Sequence, residues 1–304
     1  MVGDAYAACL RDAQAHYENF PVASVLVPRR MRHHIAAVYA FARAADDFAD
    51  EGDRSVAERH ALLDGWLDRL HHAAGANAPG PPPRAGEPPH AVAIFVALGA
   101  SIRDRALPVA LFEDLLSAFR QDVTVTRYER WTDLLDYCRR SANPVGRLVL
   151  RIAGYADGQL DRWSDNICTA LQLTNFWQDL SIDYARGRIY LPAEERRFHG
   201  AREEDLGDGH ITLAWRQALG AASRRTRDLF DAGRPVCDAV RGRLRYELRA
   251  TWLGGVHVLD ALERLRFDVV HHRPAIGIGD GVRIAANTVL WRRLVRRSPK
   301  GEGG

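Results

Sequence analysis

Apolar positions step by three and four through most of this chain. Ile35, Val38, Ala42, Ala45 and Ala49 make one such stripe, the pattern of a helix with one buried face. Comparable stripes run through residues 56–70, 109–119, 134–152, 167–182, 211–230 and 244–270. No long stretch alternates with period two, so the pattern predicts an all-α fold with no sheet. Residues 75–90 hold six of the 14 prolines and three glycines. They are predicted to form a mobile loop between helices, not a domain boundary. Asn143 is predicted to cap a helix that starts near Pro144. Gly277–Gly281 looks like a fragment of a dinucleotide fingerprint, but no strand precedes it and it reads as a loop. The whole chain, 1–304, is read as a single domain, with a basic amphipathic tail helix and disordered end at 282–304.

Beside the first apolar stripe runs a polar one, Tyr39, Arg43, Asp46 and Asp50, spaced by four, three and four. A second polar stripe, Gln172, Asn175, Asp179 and Asp183, is set among Leu171, Leu173, Phe176, Trp177, Leu180 and Ile182. Carboxylates one turn apart on a helix lie about 6 Å from each other and repel by ~3 kcal/mol at an effective dielectric near 20. A chain that does this twice on apolar helices calls for a cation. The donors are oxygens, which suits Mg²⁺, a cation that takes one or two carboxylates and fills its shell with water and substrate phosphates. Facing pairs around Mg²⁺ make a seat for a diphosphate. Arg186 and Arg188 follow the second pair and can reach back to phosphate oxygens with planar donors. The bland alternatives are a solvated acidic helix end, a buried polar network without ligand, and surface arginines. The paired histidines, His33–His34, His71–His72 and His271–His272, point to different helix faces and are expected at the surface or at helix ends.

Composition narrows the field. Hydrophobic residues make up 47% and charged residues 27%, ordinary for a soluble globular protein. A net charge of +3 is too small to argue for nucleic acid. Lys300 is the only lysine, which excludes a P-loop and a Schiff-base site. Cys9, Cys138, Cys168 and Cys237 have no chelating spacing and are expected as buried thiols in a reducing compartment. No apolar run spans a bilayer and no signal peptide precedes the first helix, so a cytoplasmic location is expected. The basic C-terminal segment could rest on the inner face of the membrane with Trp291 and Leu294 down and arginines at the headgroups.

Three segments together carry a resemblance. Tyr39-x-x-x-Arg43-x-x-Asp46-Asp47-x-x-Asp50, Gln172-x-x-Asn175-x-x-x-Asp179-x-x-x-Asp183 and Gly187-Arg188-Ile189-Tyr190-Leu191-Pro192 resemble the squalene/phytoene synthase family, from about Tyr17 to His272. The resemblance implies an all-α prenyl-synthase bundle around a central cavity. It implies Mg²⁺ held by Asp46, Asp50, Asn175, Asp179 and Asp183, with Arg43, Arg188 and Tyr190 on the diphosphate and Gln172 facing the cavity. Phe20, Phe176 and Trp177 are candidates to face a carbocation. The segments Glu18-Asn19-Phe20-Pro21-Val22 and Ser141-Ala142-Asn143-Pro144-Val145-Gly146 look like the hopanoid-pathway branch, whose members act as hydroxysqualene synthases. They replace the basic and tyrosine-bearing segments of condensing members. The expected reaction is ionisation of presqualene diphosphate with water capture. Head-to-head condensation of farnesyl or geranylgeranyl diphosphate is the alternative. A non-catalytic assembly or lipid-binding relative would be free to lose its aspartates, and both pairs are intact. Neighbouring pathway enzymes are the expected protein partners.

Overall fold

The computed structural model describes residues 2–15, 26–75, 81–270, 272–274 and 276–291. Phe20 and the arginines after Trp291 lie outside them. The helices are α1 (Val2–Ala15), α2 (Arg29–Asp50), α3 (Val56–Gly75), α4 (Ala91–Arg105), α5 (Val109–Asp122), α6 (Trp131–Ser141), α7 (Asn143–Ile152), α8 (Gly158–Gln178), α9 (Leu180–Ala185), α10 (Ala193–His199), α11 (Glu204–Gly207), α12 (Leu213–Gly233), α13 (Val236–Ala239), α14 (Arg243–Arg264) and α15 (Ile278–Val289). Among the described residues, extended pairing is limited to one isolated bridge between Arg127 and Ile189.

Several boundaries differ from the sequence reading. The 134–152 stripe is two helices, because Pro144 has no N–H to continue the α6 ladder and is accepted only in the first turn of α7. Ala142 rather than Asn143 flanks that turn. Asn143 Oδ1 instead accepts from Thr169 Oγ1 at 2.9 Å, tying α7 to α8. Gly277 is not mid-loop. It flanks the start of α15, where the Asp280 carboxylate accepts its N–H at 3.2 Å, so Gly279 and Gly281 are helical. The described part of the proline-rich loop is pinned. Arg69, 2% exposed, donates to both Glu87 oxygens at 2.9 and 2.7 Å and to the carbonyls of Pro81 and Pro82 at 2.8 and 2.7 Å.

Two helices press on α8. A Cβ on Gly233 of α12 would lie 2.6 Å from the Trp163 carbonyl oxygen, and one on Gly255 of α14 would lie 2.7 Å from Leu171 Cδ2. Glycine lets the backbones close in at Gly233 and leaves room for the Phe230 and Leu171 side chains at Gly255. Trp177, fully buried, donates to Thr226 Oγ1 of α12 at 2.9 Å. Next to these contacts an apolar cavity of about 120 Å³ remains, walled by Met31 and Ile35 of α2, Val145 and Val149 of α7, Ile167, Cys168 and Leu171 of α8, and Leu244, Leu248 and Thr251 of α14.

His34 departs from the surface expectation. It is 1% exposed and joins α1, α2 and α4 through Ser101 Oγ at 2.9 Å and Tyr6 OH at 3.4 Å. Its Nε2 lies 3.1 Å from Arg105 Nε and 3.2 Å from the Asp104 carboxylate. Trp291 is not free for a membrane. It is 2% exposed, edge-on to Trp252 at 5.3 Å, with the Arg234 guanidinium 4.6 Å from its ring. No helix among the described residues is long and apolar enough to cross a membrane.

Candidate active site

Asp46 and Asp50 stand at the end of α2, and Asp179 and Asp183 straddle the break between α8 and α9. The break does not undo the one-turn spacing, because the Asp183 N–H still bonds the Asp179 carbonyl at 2.8 Å. The chain then turns through Gly187 (φ +77°), a left-handed position that suits glycine. This turn brings Arg188 back across the site. Its Nη1 and Nη2 donate to the two Asp50 oxygens at 2.9 and 2.6 Å, and Nη2 also reaches the Asp122 carbonyl at 3.2 Å. One arginine from the second acidic segment thus clasps the first.

The carboxyls are crowded. Burial, then the charge of Asp50, pushes the Asp46 carboxyl up to about 6 despite Arg43 and Arg188. Burial, then Asp179, pushes Asp183 up to about 7, opposed by Arg188 and Arg186. Asp50 also raises Asp183, which places the two pairs within electrostatic reach of each other. Asp179 has its own counter-ion: Arg273 Nε and Nη2 lie 2.6 and 3.1 Å from its oxygens.

A third carboxyl joins from α5. Asp122, 7% exposed, accepts from Tyr137 OH at 2.8 Å, and its Oδ1 is buried without a hydrogen-bond partner. Burial raises it to about 7, Tyr137 and Arg188 pulling the other way. Around it, Phe176 and Tyr190 stack face to face at 3.7 Å and 7°, with Tyr137 6.2 Å from each ring.

The remaining expected residues scatter. Arg43 turns to Asp47 at 2.9 Å and Glu51 at 3.1 Å, the first one turn along its own helix. Tyr39 and Gln172 are half-buried, and Asn175 and Arg186 are exposed. Trp177 packs against α12 (above), away from open space. The apolar cavity begins well below the aspartates. Ile35 precedes Asp46 by 11 residues and Leu171 precedes Asp179 by eight, or ~16 and ~12 Å of helix.

These groups fit a hard divalent cation. Each wall offers carboxylate oxygens whose charge burial and repulsion leave poorly compensated. Among the described residues no three carboxylate, imidazole or thiol groups converge as a ready metal site. Two-carboxylate walls leave the other coordination positions to water and phosphate oxygens, the usual arrangement for Mg²⁺.

Acidic helix ends above an apolar chamber in an all-α bundle define an isoprenoid-synthase class of protein. The profile of the squalene/phytoene synthase family matches residues 13–279. The chain is 40% identical over 226 residues to a hydroxysqualene synthase of Zymomonas mobilis, covering 74% of this chain and 71% of that one. It is 38% identical over 239 residues to a hydroxysqualene synthase of Rhodopseudomonas palustris, covering 76% and 75%. The crystal structure of squalene synthase HpnC from Alicyclobacillus acidocaldarius superposes with a TM-score of 0.78 at 38% identity, over 88% of this chain and 95% of that one. A ligand-bound dehydrosqualene synthase, at 20% identity, superposes with a TM-score of 0.81 over 96% and 98%, and shares the fold. The chain belongs to the squalene/phytoene synthase family and is an enzyme of that class.

Proposed function

We propose that this enzyme ionises presqualene diphosphate and captures the cation with water, giving hydroxysqualene and diphosphate. The observation that carries the reading is the clasp of Arg188 on Asp50, which brings both aspartate segments together above the apolar chamber. The hydroxysqualene synthase relatives support the choice of substrate.

Asp46, Asp50, Asp179 and Asp183 would hold Mg²⁺, with Asn175 close by. A bound divalent cation neutralises charge that builds on the departing diphosphate. Arg188 supplies planar donors to the same oxygens. The carbon–oxygen bond breaks with its electron pair leaving on the diphosphate. The cyclopropylcarbinyl cation rearranges, water adds to carbon, and the proton released passes to the diphosphate. The faces of Phe176 and Tyr190 lie close enough to this corner to stabilise the cation, each contact worth ~0.5–2 kcal/mol. The Met31, Ile35, Val149 and Leu171 walls take the hydrocarbon arms and keep bulk water away.

The deciding experiment is product analysis. Purified enzyme with Mg²⁺ and presqualene diphosphate in ¹⁸O-water should give hydroxysqualene carrying ¹⁸O. Turnover of farnesyl diphosphate alone to a C30 product would shift the assignment to head-to-head condensation.

A further inference from the structure

Asp122 closes α5 with half of its carboxyl occupied. Tyr137 OH donates to Oδ2 at 2.8 Å, while Oδ1 is buried with no hydrogen-bond partner among the described residues, on a side chain only 7% exposed. An acceptor left unpaired in such a place is costly to the ligand-free fold, and a bound donor would relieve it. The carboxyl also stands at the seam of the site. Arg188 joins its backbone carbonyl to Asp50 on the ionic side. Tyr137 links it to the Phe176 and Tyr190 rings on the other. It lies outside the two aspartate pairs, whose oxygens a metal would occupy.

We infer that Asp122 Oδ1 is the seat of the water that captures the cation and the first acceptor of its proton. This rests on the water-capture reading above and names the base for it. Arg188 turning from Asp50 to the departing diphosphate carries its guanidinium away from Asp122 and lets one water reach Oδ1. A water that donates one O–H to Oδ1 keeps a lone pair for the cation. That pair forms the new C–O bond, the O–H bond breaks with its electrons staying on oxygen, and the proton goes to Oδ1 and then to the diphosphate. Tyr137 holds the carboxylate in place by donating to Oδ2. Burial raises the proton affinity of the group, pushing the carboxyl up to about 7. Without this base the cation sheds a carbon-bound proton to the diphosphate instead, and the product is a hydrocarbon with one more double bond.

The test gives Asp122→Asn Mg²⁺ and presqualene diphosphate, and reads diphosphate release and products separately. The amide keeps the size of the side chain and an acceptor for Tyr137 but takes no proton. Diphosphate release should fall severalfold, while the ratio of hydroxysqualene to hydrocarbon should fall at least tenfold, as for loss of a general base. Asp122→Ala leaves a hole, and added formate should restore hydroxysqualene there by supplying the missing carboxylate. A merely structural Asp122 would lower turnover and leave the product ratio alone, so an unchanged ratio in either variant overturns the inference. An Asp122→Asn protein that melts like wild type yet releases no diphosphate also overturns it, since the carboxyl would then act on ionisation. A wild type that makes no hydroxysqualene overturns the water-capture reading itself, and this inference with it.

Discussion

Removing one negative charge from the acidic wall should make the ligand-free protein more stable. Asp46→Asn keeps the shape of the side chain and deletes its charge. Burial first, then Asp50, pushes the carboxyl up to about 6 from an ordinary 3.8, so ionisation costs the folded state up to ~3 kcal/mol at ~1.36 per unit. The penalty is absent below about pH 4, grows as pH rises toward 6, and is complete above it. The half-buried amide in the variant needs a partner and returns part of the gain, which leaves ~1–3 kcal/mol at pH 8. A chain of 304 residues has an unfolding entropy near ~0.6 kcal/mol/K, so the melting temperature should rise by ~2–5 °C. Calorimetric melts at pH 8 and pH 4 read this directly. The variant should lead at pH 8 and fall level with or slightly below the wild type at pH 4, and adding Mg²⁺ with pyrophosphate should stabilise the wild type more than the variant. A variant that melts below wild type at pH 8, or a difference that ignores pH, would refute the claim that this wall stores repulsion.

Asp183→Asn should lower kcat by ~10²–10³, the scale for one group acting on developing charge, and steady-state rates check it. Breaking the buried Arg69–Glu87 pair by Arg69→Ala should cost ~3–5 kcal/mol in denaturant unfolding, because it strands a carboxylate; a loss under 1 would mean that the proline-rich loop is not anchored there. His34, held at about 4 against 6.5 by burial first, stays neutral in the fold while the unfolded chain takes up a proton. Stability should therefore be full above pH 6.5 and fall by ~3 kcal/mol as pH drops to 4, a limb that flattens in His34→Gln. Gly233→Ala should cost ~1–3 kcal/mol, since its Cβ meets backbone at the Trp163 carbonyl and the Ile167 nitrogen as well as the Ile167 side chain.

The two aspartate stripes were legible in the sequence because helical spacing alone aligns them, and the structure sets them on α2 and on the α8–α9 corner. The interruption at Asp179 was not legible: the apolar stripe runs unbroken through it. The resemblance assigns Arg43 to the diphosphate; in the structure it pairs with Asp47, one turn on. Asp122 left a readable trace that spacing arguments passed over. An aspartate in the last turn of a helix opposes the helix dipole, and α5 ends on one. Arg273 left none. Its partner is 94 positions away, and no local pattern links a loop arginine to a distant helix end. Trp291 misled because an amphipathic reading cannot tell a membrane from a neighbouring helix; Trp252, Arg234 and Arg249 supply the apolar and cationic surroundings instead.

The glycines that let α12 and α14 settle against α8 also decide where this enzyme can change. With backbone abutting backbone at Gly233, that flank has no slack, and an insertion there would tilt the helix that carries Asp179. Room for a longer or bulkier hydrocarbon must come from the α2 and α7 walls of the cavity, by trimming Met31, Val145 or Val149. Chain-length preference can therefore be reset from α2 and α7, a distance of helix away from the carboxylates, without disturbing the close contact of α12 that seats the helix bearing Asp179.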